Sequence, residues 1–155
     1  MNNNIDDSLV FLDESTHTYS FKDNEDVEFT SVTTYISEFF EKFNQLKIAK
    51  KLINTNMKYA HRKVEDIISD WDKARDYGTF VHKQIEDHLT GVSKVTDSRA
   101  QYAVEWLNEF LKNRNYDLYT EKIIFSKELQ IAGTMDILIK LKDSNEYIII
   151  DWKTL

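Results

Sequence analysis

The sequence predicts an α+β fold in which helices pack against a mostly antiparallel sheet. Three features of the 155-residue chain lead to this prediction: extended runs near the N-terminus, apolar residues at helical spacing through the middle, and three more extended runs after Lys112. Strands grouped at both ends of a helical region are typical of α+β proteins. The chain has no proline, only three glycines and no visible linker, so we expect a single domain over residues 1–155.

Short strands are predicted before the first helix. Runs rich in β-branched and aromatic residues cover residues 9–12, 16–21 and 27–30, with a polar turn before the last of them. Ser31 is of a residue type that caps helices, and it predicts a helix beginning at Val32. The apolar face of that helix would consist of Ile36, Phe39, Phe40 and Phe43.

The middle of the chain is predicted to be helical. A short helix covers residues 46–53, and a longer tract covers residues 60–89 with a break near Gly78. Gly91 stands where glycine is favoured after a helix end. Asp97 or Ser98 starts a further helix, and its apolar stripe would be Tyr102, Trp106, Phe110 and Leu111.

A meander of three strands is predicted after Lys112. The strands cover residues 118–125, 130–141 and 147–152, and the last is dominated by three consecutive isoleucines. Residues 143–146, Asp-Ser-Asn-Glu, form a strong hairpin turn between the last two strands.

Composition excludes several classes of protein. Apolar residues make up 41% of the chain and aromatic residues 13%, which indicates a packed core rather than disorder. No apolar run approaches the roughly 18 residues of a membrane span, and the N-terminus is polar and acidic, so we expect neither a membrane segment nor a secretory signal. The lack of cysteine excludes disulfides and cysteine-ligated metal sites, and it fits a cytoplasmic protein.

Positive charge is concentrated in one part of an acidic chain. The net charge is −7, yet residues 42–63 contain seven Lys or Arg residues and no acid, so the rest of the chain carries about −14. Such segregation indicates one surface suited to a polyanion, whereas the simpler interpretation is a solvated helix face. The candidate residues for binding a polyanion in this basic run are Lys47, Lys50, Lys51, Lys58, Arg62 and Lys63.

A candidate site lies on the last two strands. If the final hairpin is centred between Ser144 and Asn145, Asp136 lies opposite Lys153 and diagonal to Asp151, with all three side chains on one face. Two carboxylates at that separation suit a shared Mg²⁺ or Mn²⁺ ion, and a lysine beside them could orient a water or stabilise a scissile phosphate. The alternative is a cross-strand ion pair with no catalytic role.

Two residues outside this hairpin are further candidates. A turn near Lys127 would put Glu121 opposite Thr134, next to Asp136, although a surface glutamate is the alternative. His82 and Glu86 are four residues apart, beside the apolar stripe of the long helix, and can approach one ligand together. A hydrogen-bonded structural histidine is the simpler interpretation of His82.

Taken in order, these residues resemble a known nuclease superfamily. The series Gly78-x3-His82-x3-Glu86, then Glu121, then Gly133-x2-Asp136, then Asp151-x-Lys153 is similar to the RecB-type branch of the PD-(D/E)XK nucleases. Ser31-Val32-Thr33, Trp71 and the ending Ile150-Asp151-Trp152-Lys153-Thr154 resemble phage exonucleases and the mitochondrial genome maintenance exonuclease. The resemblance extends from about residue 15 to the end of the chain.

The resemblance implies a restriction-endonuclease-like core and a metal-dependent deoxyribonuclease acting in replication, recombination or repair. It implies one or two Mg²⁺ or Mn²⁺ ions held by Asp136, Asp151, His82 and the Trp152 carbonyl, with Lys153 activating the water and Glu121 as a further acid. DNA with single- or double-stranded ends would be the substrate, and a bacterial or phage-infected cytoplasm the location. Relatives with an iron–sulfur cluster hold it through cysteines, which are absent here.

One departure from the family pattern qualifies this interpretation. The family core continues beyond the Asp-x-Lys strand into a helix and another strand, whereas this sequence stops at Leu155. We expect a fragment of a longer protein, or a partner that completes the fold. The alternative function is a catalytically inactive nuclease-fold protein that binds DNA or acts as an assembly subunit.

Overall fold

The structure is a computed structural model that describes residues 9–13, 15–16, 18–144 and 146–154, with the backbone alone for residues 24–27. In these residues the chain forms an α+β fold with a mixed sheet of six strands and four helices, which confirms the predicted class. The elements are β1 (Val10–Asp13), β2 (Thr18–Phe21), β3 (Asn24–Ser31), α1 (Val32–Ser37), α2 (Gln45–Thr55), α3 (Val64–Leu89), α4 (Ser98–Leu111), β4 (Tyr116–Ser126), β5 (Ile131–Leu141) and β6 (Tyr147–Ile150).

The sheet joins the N-terminal and C-terminal strands through one parallel contact. Strands β1, β2 and β3 pair antiparallel, as do β4, β5 and β6. The short parallel ladder of Thr30 with Ile131 and Ser31 with Ala132 links β3 to β5, so the sheet is mixed and the predicted three-stranded meander is only one part of it. Strand β4 covers one edge of β5, and the other edge is shared by β3 and β6. Among the described strands, none pairs with residues 133–136 on that second edge.

Helix α1 is capped as predicted but is shorter than the pattern indicated. The Ser31 hydroxyl accepts a hydrogen bond from the Thr34 N–H at 3.0 Å, so α1 begins at Val32. The helix ends at Ser37, and the prediction of a shared apolar helix face is therefore wrong. The side chains assigned to that face are all exposed: Ile36, Phe39, Phe40 and Phe43.

Helix α3 runs without interruption through Gly78, so the predicted break there is wrong. Gly78 is buried, and a Cβ atom at this position would lie 2.7 Å from the Thr154 hydroxyl oxygen. The glycine therefore allows the C-terminal segment to cross the helix closely rather than ending the helix. Gly91 has a φ of 78° just beyond the helix end, which confirms the prediction for that position.

Helix α4 begins where predicted but turns a different face to the core. The Asp97 carboxylate caps it by accepting from the Arg99 and Ala100 N–H groups. The buried stripe is Ala100, Val104, Leu107 and Leu111, whereas Tyr102 and Trp106 are exposed. Of the predicted stripe, Leu111 is buried and Phe110 packs partly buried against the same cluster. The prediction was wrong for Tyr102 and Trp106 because it followed the aromatic residues instead of the smaller aliphatic ones.

The core lies mainly between the helix pair and the C-terminal strands. Val81 and Ile85 of α3 pack against α4, and Leu107 and Leu111 of α4 pack against Ile137 and Ile139 of β5. A second cluster, formed by Val10, Tyr19, Phe29 and Ala132, joins the N-terminal strands to β5. Strand β5 therefore contributes to both clusters and is the central element of the fold.

In the described part of the chain, no helix combines the length and apolar character needed to cross a membrane.

Candidate active site

Asp136 lies at the centre of the candidate site. It stands on β5 within the edge segment that neither β3 nor β6 covers. Its side chain is only 19% exposed, and its Oδ2 accepts a hydrogen bond from the Trp152 backbone N–H at 2.7 Å. The carboxylate is therefore held between β5 and the segment that follows β6.

Helix α3 brings His82 to this carboxylate. The buried stripe of Val81 and Ile85 fixes the rotation of the helix against α4. His82, next to that stripe, has its Nδ1 atom 3.4 Å from Asp136 Oδ2, which is within ion-pair range when the imidazole is protonated. The structure thus brings His82 and Asp136 together across more than 50 residues of sequence.

Glu86 reaches the same small cavity as His82. The cavity is lined by His82, Glu86, Glu121, Asp136 and Trp152, with apolar neighbours. Glu86 also pairs with Lys83 at 2.9 Å. The four-residue spacing noted in the sequence therefore puts both polar side chains of α3 at one place, and Glu86 is a site residue that the resemblance did not assign.

Glu121 lies across the β4–β5 ladder from Asp136, not from Thr134 as predicted. Thr120 pairs with Ile137 and Lys122 with Met135, which leaves Glu121 facing Asp136. The error arose because the turn follows Ser126 and spans residues 127–130, so its centre lies about one residue beyond the assumed one. The φ of Glu121 is 47°, a left-handed conformation that interrupts the ladder at this residue.

The environment of Glu121 disfavours its negative charge. Partial burial raises its pKa, the charges of Asp136 and Glu86 raise it further, and Lys83 opposes the shift. Three carboxylates are thus close enough to affect one another in the cavity. Such a cluster is stabilised when a cation or a proton lies among its members.

Asp151 and Lys153 follow β6, in a register that differs by two residues from the predicted one. Ile137 pairs with Ile150 and Lys140 with Tyr147, so Asp136 lies opposite Asp151, not Lys153, and Leu138 lies opposite Ile149. A hydrogen bond from Leu141 N to Glu146 O closes the loop, and the centre of the hairpin lies one residue before the predicted point between Ser144 and Asn145. Asn145 of that turn lies outside the described residues.

The two-residue difference preserves the alternation of side chains, so the Asp151–Lys153 segment stays beside Asp136. Lys153 Nζ lies 2.5 Å from Asp151 Oδ2, and the two side chains are 73% and 58% exposed. The hydrogen bond to Asp151 raises the pKa of Lys153, and the charges of Asp151 and Asp136 add to the increase. The lysine is therefore a protonated, solvent-facing group. Together with Asp151 it lines a neighbouring cleft beside α3 and α4, whereas the small cavity around Asp136 is lined by Trp152 of the same segment.

Trp152 presents its backbone N–H to Asp136 and its ring to the core. The indole packs edge-on to Trp106 at 5.9 Å between ring centres and contacts the clusters formed by α3, α4 and β5. This packing, together with Thr154 crossing Gly78, holds the segment on both sides of Lys153. No sequence pattern predicts the packing of Trp152 on Trp106 or the crossing of Thr154 over Gly78.

The chemistry of the donor set fits a divalent cation. Carboxylate oxygens suit Mg²⁺ and Mn²⁺, and an imidazole is more typical of Mn²⁺ and later metals. In the described residues, however, no group of three His, Asp or Glu side chains already surrounds a common point. Asp136 and His82 are within reach of each other, while Asp151 is turned to Lys153.

The predicted DNA-binding residues lie on α2 and on the loop that follows it. Lys47, Lys50 and Lys51 are exposed on α2, and Lys58 lies 5.7 Å from the centre of the Tyr59 ring. Arg62 differs from the others because it is ion-paired with Asp70 at 2.6 Å. Lys63 is the residue immediately before α3 and is exposed.

Comparisons with known proteins found no match to this chain among protein-family models, curated proteins or solved structures.

Proposed function

We propose that this chain is a metal-dependent deoxyribonuclease of the PD-(D/E)XK type. The observation that carries the proposal is the convergence of three other elements on Asp136 of β5. His82 comes from α3, Glu121 from β4, and the Trp152 N–H from the segment after β6, where Asp151 and Lys153 flank it. A structural ion pair requires two partners, whereas a phosphodiester hydrolase requires several acids, an imidazole or amine, and access for solvent.

The proposed metal ligands are Asp136, Asp151 and His82, completed by the backbone carbonyl of Trp152. A bound Mg²⁺ or Mn²⁺ would lower the pKa of a coordinated water and stabilise charge on the scissile phosphate. The N–H of Trp152 holds Asp136 Oδ2 in place. Glu121 adds negative charge that favours a cation at this position.

Lys153 is the residue proposed to act on the substrate. Its ammonium group is exposed in the cleft next to the cavity, and the hydrogen bond to Asp151 raises its pKa, so it is protonated at neutral pH. A protonated amine there donates hydrogen bonds to a phosphate oxygen and orients a water molecule, and both interactions stabilise the transition state. Cleavage would require a phosphodiester next to Lys153 and a water next to Asp136.

The test is cleavage of end-labelled single-stranded and double-stranded DNA with Mg²⁺ or Mn²⁺. We expect Asp136→Asn and Lys153→Ala each to lower the rate by about 100-fold to 1,000-fold, the range for loss of one transition-state contact. The matched control is Lys142→Ala, which removes a lysine paired with Asp117 at 2.7 Å at the other end of the sheet. Undiminished activity of Lys153→Ala would contradict the assignment of the site, and the absence of any metal-dependent cleavage would contradict the function.

A DNA-binding or assembly protein with this fold and without cleavage is the second candidate. The observation that favours it is the pairing already present in the site: Trp152 N–H occupies Asp136, and Asp151 pairs with Lys153. Calorimetric titration with Mn²⁺ separates the two candidates. The nuclease binds the ion through Asp136, whereas the second candidate binds none there and keeps its DNA affinity in Asp136→Asn.

A further inference from the structure

An exposed aromatic strip runs from α1 to the residue before the cap of α2, and it is defined as Tyr35, Phe39, Phe40 and Phe43. The three phenylalanines are 68%, 70% and 68% exposed, and α1 buries none of its residues. Tyr35 and Phe39 contact edge to face at 5.2 Å, and Phe43 lies 5.7 Å from Trp71 of α3. Large apolar rings exposed side by side are typical of interaction surfaces.

A basic face adjoins the aromatic strip on α2, defined as Lys47, Lys50 and Lys51. These residues follow helical spacing on the side opposite Ala49, which is fully buried. In the part of the chain that the structure describes, no acid forms an ion pair with any of the three. The Asn44 side chain accepts from the Lys47 N–H at 2.9 Å, which fixes the junction between strip and helix.

The strip begins beside the candidate active site. Val32, the first residue of α1, lies so close to Gly133 that a Cβ there would be 2.9 Å from its methyl group. Val32, Thr33, Gly133 and Glu121 together line an open cleft of about 430 Å³. A ligand that follows the strip toward α1 therefore reaches a cleft that contains one of the site carboxylates.

The two surfaces together match one ligand chemistry. Unpaired bases offer flat faces that stack on aromatic rings, while phosphates require cations. A duplex hides its base faces, so it could use the basic face and not the strip. Glu38 and Glu41 are exposed within the strip segment. Their negative charges repel phosphates and anionic lipid headgroups, so the rings are suited to contact uncharged groups such as bases.

We propose that unpaired DNA bases stack on the aromatic strip while their phosphates follow Lys47, Lys50 and Lys51. The chain therefore prefers single-stranded DNA or single-stranded ends. This inference rests on the proposed function in that the bound strand is the substrate of the site. The strip is the part that selects the strand, and the basic face binds either form of DNA.

The test is fluorescence anisotropy in EDTA with a labelled oligothymidylate of about 20 nucleotides and a blunt duplex of the same length. We expect Phe39→Ala/Phe40→Ala to weaken binding of the single strand about tenfold, which converts to about 1.4 kcal/mol, and to leave duplex binding unchanged. Phe39→Trp/Phe40→Trp should retain the wild-type affinity. Tyr147→Ala, which removes an exposed aromatic residue from the far end of β6, is the matched control and should have no effect.

A comparison variant, Lys47→Ala/Lys50→Ala/Lys51→Ala, should weaken both forms of DNA. For the single strand, it should also reduce the slope of log K against log salt concentration by about 2, since each of the three contacts contributes about 0.7. Equal losses for single strand and duplex in the phenylalanine variant would overturn the inference, as would no loss for either. A dimer that dissociates in this variant, or loss of binding to phosphatidylglycerol vesicles, would also overturn it, because the occupant would then be a second copy or a lipid.

Failure of this inference is distinguishable from failure of the proposed function. Binding in EDTA requires neither a metal nor Asp136, so a chain that binds single strands through the strip without cleaving them leaves the inference standing. A chain that cleaves DNA and is unaffected by Phe39→Ala/Phe40→Ala retains the function and loses the inference. Circular dichroism of each variant verifies the fold. We expect the fold to be retained, because the substituted phenylalanines are exposed and bury little area.

Discussion

Asp136 shows how a single carboxylate can depend on contacts that are distant in sequence. The Trp152 N–H holds one oxygen, His82 lies 3.4 Å from the same oxygen, and Glu121 faces it from β4. The pKa of Glu121 is raised first by partial burial and then by the charges of the neighbouring carboxylates. Polar groups that destabilise one another in the absence of a ligand are typical of functional sites.

At Asp97, a change of charge should appear as a change of stability with pH. The Tyr77 hydroxyl donates to this carboxylate at 2.8 Å, and two N–H groups of α4 also donate to it. The hydrogen bond from Tyr77, followed by those from the helix, lowers the pKa of Asp97 below its ordinary 3.8. A lowered pKa in the folded state stabilises the fold above the unfolded-state pKa, and this contribution disappears as the pH falls through the folded-state value.

We therefore expect Asp97→Asn to lower Tm at pH 7, because the amide keeps an acceptor for the helix cap and loses the charge. The difference from wild type should shrink as the pH is lowered below about 3.8. Thermal melts followed by circular dichroism across this pH range provide the measurement. A difference that is constant with pH would show that the cap alone, and not the charge, stabilises the fold.

At Gly78, helix propensity and close packing act in opposite directions. Gly78→Ala gains up to about 1 kcal/mol of helix propensity but places a methyl group 2.7 Å from the Thr154 hydroxyl oxygen. We expect the single variant to realise little of this gain, and Gly78→Ala/Thr154→Ala to realise most of it. Urea denaturation of the two single variants and the double variant measures this non-additivity; strictly additive effects would contradict the contact.

At the scale of elements, local signals located the starts of α1 and α4, and aliphatic residues decided which faces are buried. Ser31 and Asp97 cap α1 and α4 through hydrogen bonds to N–H groups two or three residues away, so a short sequence window contains the whole interaction. The buried stripe of α4 could not be read in the same way. Aromatic and aliphatic residues occupy adjacent stripes of that helix, and only the partner surface on β5 selects between them.

The registers of the two C-terminal hairpins show a related limit. Both predicted registers differ by two residues from those observed, because each depended on the residue at which the turn was centred. A difference of two residues leaves every side chain on its predicted face, so the grouping of Asp136 with the Asp151–Lys153 segment was unaffected. The residue directly opposite Asp136 was predicted wrongly: it is Asp151, not Lys153.

Strand β5 should be the most sensitive element of the fold. Ile139 is fully buried between β5 and α4, and its truncation to alanine leaves a cavity that the surrounding strands cannot close. We expect Ile139→Ala to lower the free energy of unfolding by about 2–5 kcal/mol. The control is Ile149→Ala on β6, which is exposed and should cost under about 1 kcal/mol. Equal costs in urea denaturation would contradict the central position of β5.

At the scale of the whole molecule, charge and topology divide the chain into complementary parts. The acidic residues that line the cavity around Asp136 come from α3, β4 and β5, whereas α2 carries three lysines and no acid. The net charge of −7 conceals this division. A cation bound at the acidic cavity would reduce the repulsion among its carboxylates and thereby stabilise the whole fold.

We expect Mn²⁺ to raise the Tm of the wild-type chain and not that of Asp136→Asn. An ion that binds only the folded state contributes about 2.7 kcal/mol at about 100 times its dissociation constant, which corresponds to roughly 5–10 °C for a chain of this length. Without metal, Asp136→Asn should melt slightly higher than wild type, because the asparagine oxygen still accepts from Trp152 and one negative charge is gone. Thermal melts with Mn²⁺ and with EDTA test both statements, and equal shifts in the two proteins would place the ion elsewhere.

The sequence by itself determined the α+β class, the helix caps and the grouping of Asp136 with the Asp151–Lys153 segment. Each of these depends on interactions within a few residues or on the strict alternation along a strand. Only the tertiary structure decided that β3 joins β5 in parallel, that α3 runs unbroken past Thr154, and that His82, Glu86 and Glu121 meet at one carboxylate. These contacts join segments tens of residues apart. They depend on which surfaces pack together to bury apolar area, and a local sequence pattern does not contain that information.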